Sequence, residues 1–316
     1  MIKKSIPNVY IRFIVINMIV LMLTGPFVVL FGPFDNIKRS VVGAIMTSRH
    51  PQYITWLYSE KEIKELLGDI HAANLPKQDL IKFAKREDTS LRLVTINANR
   101  FTGYLLEIPD PTRIKVATAK DIQEKGDTVS TISMMNNAVA GINGGGFHDP
   151  NGTGTGRLPY GVIISEGKYL VGGDIEEEVP FIGLTKAGVL VAGNYSPKEM
   201  RAMNMAEGVS FGPPLITNGK KLITSGDGGW GVAPRTAIGQ RKDGAILFLV
   251  IDGRQPGYSI GATLLDVQNI LFEQGAYNAA NLDGGSSTTL FFNGKVVNKP
   301  ADMLGERMIP SAFIVK

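Results

Sequence analysis

The chain has 316 residues, of which 44% are hydrophobic and 20% charged, with 37 glycines and no cysteine. That composition excludes disorder, disulfides, cysteine nucleophiles and cysteine-held zinc. Three histidines, His50, His71 and His148, are too few for a histidine metal cluster, and a Ser-His-Asp triad has only His148 to draw on. The net charge of +4 is concentrated at one end: residues 1–90 carry 12 Lys+Arg against 8 Asp+Glu, and residues 91–316 carry 21 of each. A neutral main domain argues against nucleic acid as a partner, while the basic excess near the amino end suits a surface of anionic lipid.

In chain order, residues 13–34 contain no charge. As a helix they span about 33 Å, enough to cross a bilayer core. Lys3, Lys4 and Arg12 precede the run, and Lys38 and Arg39 follow it, partly offset by Asp35. The more basic amino side is expected in the cytoplasm, which puts the rest outside it. No small-x-small cleavage site follows the run, and it is long for the core of a signal peptide. Residues 1–34 are therefore expected to be a cytoplasmic tip and a single-pass anchor.

Residues 35–90 read as a helical stalk. Ser59-Glu60-Lys61-Glu62 fits a capping box, and Ile63, Leu66, Leu67 and Ile70 follow at helical spacing until Asn74 and Pro76. His50 and His71 read as surface or packing residues. From 91 to 316 the pattern changes to short strands, with candidates at 91–96, 114–118, 161–165 and 311–315. Glu166-Gly167, Asn218-Gly219, Asp243-Gly244 and Asn293-Gly294 are hairpin turns. Helices are expected over 128–137 and 262–274, the second stopped by Gly275. The expected fold class is α+β: a mixed, strand-rich sheet domain with a few helices, preceded by a transmembrane helix and a helical stalk.

Five segments carry more glycine and polar residues than core strands need: AGINGGGF (140–147), FGPPLITNGK (211–220), APRTAIG (233–239), VIDGRQPGYSIGATL (250–264) and NLDGGSST (281–288). In three of them an apolar strand ends in Asn143, Asp252 or Asp283 and then meets glycine. Polar strand ends project over a sheet, and glycine lets the backbone turn and a ligand come close. Each such pair alone is a common turn. Repetition of the plan beside Arg235, Arg254 and Arg307 points to one cleft for an anion. Gly284, Gly285, Ser286 and Ser287 offer an anion nest without the lysine motif of a phosphate-binding loop.

These motifs, with RMIPSAFIV (307–315), occur in an order that resembles the phosphodiester glycosidase family over about 91–316. The resemblance implies hydrolysis of a sugar-1-phosphodiester on the sugar side of the phosphate. The anchored layout is similar to bacterial members, which implies a phosphoglycan or exopolysaccharide of the cell envelope as substrate. A phosphodiester is already a good leaving group, so charge stabilisation outweighs acid help. Arg235 and Arg254 are assigned to the phosphate, with Arg307 in support. Asp283 and Asp252 are the candidates for acid, base or nucleophile. Asn143, Gly144, Gly145, Thr236, Asn281, Gly284, Gly285, Ser286 and Ser287 are assigned to substrate binding. A divalent cation near Asp252 and Asp283 stays open, and no other cofactor is expected. Two alternatives remain open: a phosphoglycan-binding module without turnover, and an assembly factor whose working part is the stalk. A serine hydrolase built on Ser286 or Ser287 would have to recruit His148.

Overall fold

The computed structural model describes residues 8–46, 52–67, 78–84, 87–149 and 154–316. Lys3, Lys4, His50, Ile70, His71, Asn74 and Pro76 lie outside the described residues. Helix α1 (Asn8–Phe31) matches the uncharged run, is long and apolar enough to cross a membrane, and has none of its residues buried by protein. Three short helices follow: α2 (Asp35–Met46), α3 (Gln52–Thr55) and α4 (Glu60–Leu67). Ser59 and Glu62 close the expected capping box, with Glu62 Oε2 accepting from the Ser59 N–H at 2.8 Å. Val42, Ile54, Ile63 and Leu67 form a small core with Leu30 packed against it.

Residues 78–84 form no helix, and they lie on the main domain. Gln78 hydrogen-bonds the backbone at Leu190 and Ala192, and the Phe83 ring covers Gly244. Beyond them come β1 (Arg92–Asn97), β2 (Thr102–Ile108) and β3 (Ile114–Thr118). Thr128 caps α5 (Val129–Met135), which leads into β4 (Ala140–Asn143). A meander of β5 (Ile163–Ser165), β6 (Lys168–Val171), β7 (Val179–Thr185) and β8 (Leu190–Tyr195) reaches α6 (Pro197–Ala202), then β9 (Met205–Val209), β10 (Pro214–Thr217) and β11 (Lys220–Lys221). Long strands β12 (Arg235–Arg241) and β13 (Ile246–Ile251) precede α7 (Leu264–Glu273) and β14 (Ala276–Leu282). The chain ends on β15 (Leu290–Phe292), β16 (Lys295–Val296) and β17 (Ser311–Val315).

The α+β, strand-rich class is as expected, and the strands divide among three sheets in which every described pairing is antiparallel. The seven-stranded sheet runs β1-β2-β13-β12-β14-β10-β11, and the five-stranded sheets run β16-β15-β4-β17-β3 and β6-β5-β9-β7-β8. One shared core joins all three. Strand β13 is apolar throughout because both its faces are covered. Ile246, Phe248 and Val250 enter the shared core, and Leu247, Leu249 and Ile251 pack beneath Leu264, Val267 and Leu271 of α7. Asn218-Gly219, Glu166-Gly167 and Asn293-Gly294 have positive φ at both positions, as the tight hairpin turns require.

Candidate active site

Strand register gathers the polar strand ends. Arg235 begins β12 opposite Ile251, the last residue of β13, and Thr236 faces Leu282, the last residue of β14. Asp252 and Asp283 therefore leave the sheet at the edge where β12 enters it. The second sheet is tied to the same place. The Asn143 amide donates to the Asp283 carbonyl, while its Oδ1 accepts from Thr236 Oγ1 at 2.7 Å and from the Thr289 N–H at 3.2 Å.

A cleft of about 700 Å³ opens above this junction. Arg235, Arg254, Arg307, Asp283 and Gly284 through Ser287, all named from the sequence, are part of its lining. Gly285 adopts φ +60°, and a Cβ there would stand 3.3 Å from the Arg254 guanidinium, so this loop needs glycine to lie against the arginine. Arg254 itself holds φ +59°, a strained backbone for a non-glycine residue that fixes where its side chain emerges.

Electrostatics single out Asp283. Burial raises its carboxyl to about 6, against the hydrogen bonds from Ser287 and the Gly284 N–H and the pull of Arg307 and Arg254. Arg235 is 4% exposed, and burial and the neighbouring Arg254 charge bring it down to about 10. Its Nε donates to the Ala262 carbonyl at 3.1 Å, and its Nη2 donates to those of Trp230 and Gly231 at 2.9 and 2.6 Å. Arg235 thus knits the loops together as well as facing the cleft. Burial, then Arg307, lowers Arg254.

Asp252 departs from its expected place. It is 1% exposed and lies outside the cleft lining. Tyr258 Oη donates to one oxygen at 2.9 Å, Asn298 Nδ2 donates to the other at 2.9 Å, and the Lys299 N–H reaches both at 3.0 and 3.2 Å. Donors on both oxygens make it a brace between two loops. Asn143, Thr236 and Asn281 are likewise buried under the cleft floor rather than exposed in it. Gly144 and Gly145 serve packing, since a Cβ on them would stand 2.8 Å from Ser311 Oγ and from the Ser210 carbonyl. Gly146 lines the cleft in their stead.

The sequence reading missed a second carboxylate, Asp149, and four aromatic rings, Phe147, Tyr160, Phe211 and Trp230, all in the lining. Asp149 pairs with Arg307, whose guanidinium also lies 5.1 Å from the Phe147 ring centre. Asp149-Pro150 reads as a plain turn, so only the preceding glycine run hinted at it. Phe211 and Trp230 stack edge to face at 5.9 Å. His148 packs on Tyr160 at 4.1 Å, and no described hydrogen bond joins it to Ser286 or Ser287. Among the described residues no three His, Cys, Asp or Glu side chains converge as a metal site. The saturated Asp252 and the arginines around Asp283 make a poor setting for a divalent cation.

Fold and cleft together define a strand-rich α+β domain with a pocket lined by both arginines and aromatic rings. A family model described as phosphodiester glycosidase matches residues 136–316, and the chain belongs to that family. N-acetylglucosamine-1-phosphodiester alpha-N-acetylglucosaminidase of Bos taurus is 25% identical over 231 residues, covering 65% of this chain and 42% of the bovine one. The Homo sapiens protein of the same name is 27% identical over 184 residues, covering 52% and 34%. The chain spans less than half the length of these curated relatives. The zebrafish catalytic domain of that name, solved as auto-inhibited by its pro-peptide, superposes with a TM-score of 0.63 at 22% identity, covering 82% of this chain and 93% of that one.

Proposed function

We propose that this chain is a membrane-anchored hydrolase that cleaves sugar-1-phosphodiesters outside the cytoplasm, in a phosphoglycan or exopolysaccharide of the cell envelope. Residues 1–34 are the cytoplasmic tip and anchor, 35–90 the stalk, and 91–316 the glycosidase domain. The observation that carries this reading is Asp283, a carboxyl held up at about 6 beside Arg254 and Arg307 in a cleft walled by aromatics.

In the reaction, the bond between the anomeric carbon and the phosphate oxygen breaks, and its electron pair stays with the oxygen. A water oxygen bonds to the anomeric carbon and loses its proton. The products are a free sugar and a phosphomonoester. Arg254, Arg235 and Arg307 offset the charge that grows on the phosphate. The nest of Gly284 to Ser287 seats its oxygens. Asp283 supplies the basic carboxylate, either to the water or to the anomeric carbon itself. Asp149 is the other carboxyl within the cleft and orients Arg307. Asp252 acts through position, holding the loop of Arg254.

The test is release of free sugar from a simple sugar-1-phosphodiester by the full chain. Asp283→Asn should lower kcat by about a thousandfold or more, within the range removed with an essential acid or base. Unchanged turnover in that variant would remove Asp283 from the mechanism. Saturable binding with no release by the unaltered chain would leave a binding module.

A further inference from the structure

The stalk does not hold the cleft far from the membrane. Tyr58 donates its hydroxyl to the Leu30 carbonyl near the end of α1, and its ring stacks on Phe31 at 5.9 Å. With Leu30 packed on the core of α2 to α4, the end of the span is locked to the stalk. The stalk leaves two large aromatics open, Tyr53 at 63% and Trp56 at 85% exposure. Aromatic side chains at the end of a span settle in the headgroup layer of a bilayer. On its other side, the stalk touches the cleft wall. Gly43 of α2 lies so close to Trp230 and Gly231 that a Cβ on it would be 2.7 Å from the Gly231 nitrogen and 3.3 Å from the Trp230 carbonyl carbon. Trp230 lines the cleft, and the carbonyls of both residues hold Arg235.

Chain length limits the distance. Four residues from Phe31 to Asp35 reach at most about 14 Å, and eight helical residues from Asp35 to Gly43 rise about 12 Å. With the contact from Gly43 to Trp230 added, the cleft wall stands no more than roughly 30 Å from the end of the span, and the headgroup layer fills several ångströms of that gap. The cleft has two kinds of lining, side by side. Its arginines match a phosphate, and Phe147, Tyr160, Phe211 and Trp230 offer an apolar face. Two further apolar side chains, Met303 and Leu304, are fully exposed on the loop leading to Arg307.

We infer that the phosphate of the substrate is esterified to a membrane lipid, so that the enzyme acts on a glycosyl phosphodiester of a long-chain alcohol presented by its own bilayer. This rests on the sugar-1-phosphodiester glycosidase reading above and puts a lipid-linked sugar in place of the phosphoglycan. Hydrolysis releases the sugar to solution and leaves the lipid monophosphate in the leaflet. The arginines take the phosphate at the headgroup level, and the apolar face meets the first carbons of the chain.

The full chain, reconstituted in vesicles of phosphatidylcholine with phosphatidylglycerol, is given α-glucosyl and α-N-acetylglucosaminyl 1-phosphodiesters of eicosanol and of methanol. For the sugar that reacts, kcat/KM on the eicosanyl ester should exceed that on the methyl ester by roughly 100-fold, the effect of burying three or four methylene groups. Eicosanyl ester placed in separate, enzyme-free vesicles should react at least about tenfold more slowly than ester sharing the enzyme's vesicles. Equal rates on both esters, equal rates in shared and separate vesicles, or a preference for a water-soluble phosphoglycan would overturn the lipid assignment and leave the glycosidase reading standing. No sugar released from any of these would defeat the glycosidase reading itself.

Discussion

Two aspartates follow the ends of β13 and β14, the strands on either side of β12, and meet different fates. Asp283 is partly open to the cleft and held near pH 6 by burial, so the form that accepts a proton prevails only above that value. The kcat/KM of the enzyme should fall as pH drops through about 6. Arg254→Gln should move that limb to higher pH, because it removes a positive charge that favours the carboxylate. The folded value lies above the ordinary carboxylate range. The protonated group therefore contributes stability below about pH 4, and this is lost as pH rises through about 6. Asp283→Asn should accordingly raise Tm above pH 6 and leave it nearly unchanged below pH 4. Burial raises Asp252 as well, against the donors from Asn298, Lys299 and Tyr258, but it stands outside the cleft as a brace. Asp252→Asn should cost about 2–3 kcal/mol in a denaturation curve and lower kcat far less than Asp283→Asn does, since it sets a donor against the Lys299 or Asn298 N–H and loosens the loop of Arg254.

Strand elements explain what the sequence disclosed and what it withheld. Paired turn residues such as Asn218-Gly219 and Asn293-Gly294 announce hairpins because they alone tolerate the backbone twist of a tight turn. Helix α7 was readable from its Gly275 stop, while the capping box of Thr263 and Asp266 that begins it emerged only in the structure. Sheet order was not, since β12 pairs with both β13 and β14, and β14 joins it across an intervening helix. That order decides which polar strand end faces the cleft, so Asp252 and Asp283 looked alike on paper. The aromatic wall was hidden for the same reason: Phe147 and Tyr160 come from the β4–β5 connection, Phe211 from β9–β10 and Trp230 from β11–β12, with no shared spacing. Glycines inside strands had a legible purpose only once packed. Gly208 of β9 lies under the Phe181 ring, where a Cβ would stand only 2.2 Å from the Phe181 Cζ. Gly208→Ala should destabilise the domain by about 1–3 kcal/mol through overpacking, measurable as a lower midpoint in urea.

For the molecule as a whole, the border between stalk and domain matters. Composition alone put it near residue 91, but residues 78–84 belong with the sheets they touch. A soluble fragment of residues 78–316 should melt several degrees higher than one of residues 91–316, because the shorter piece loses the Gln78 hydrogen bonds and the Phe83 contact. Both fragments should keep the cleft.

Gln78 has one more effect. Strand β8 is the outer strand of its sheet, and the Gln78 amide fills one acceptor and one donor of that strand, as an adjoining strand would. Stripped of this cover, the border of the sheet becomes a template for another copy of itself. Light scattering at rising concentration should show self-association in the 91–316 fragment before it shows any in the 78–316 fragment.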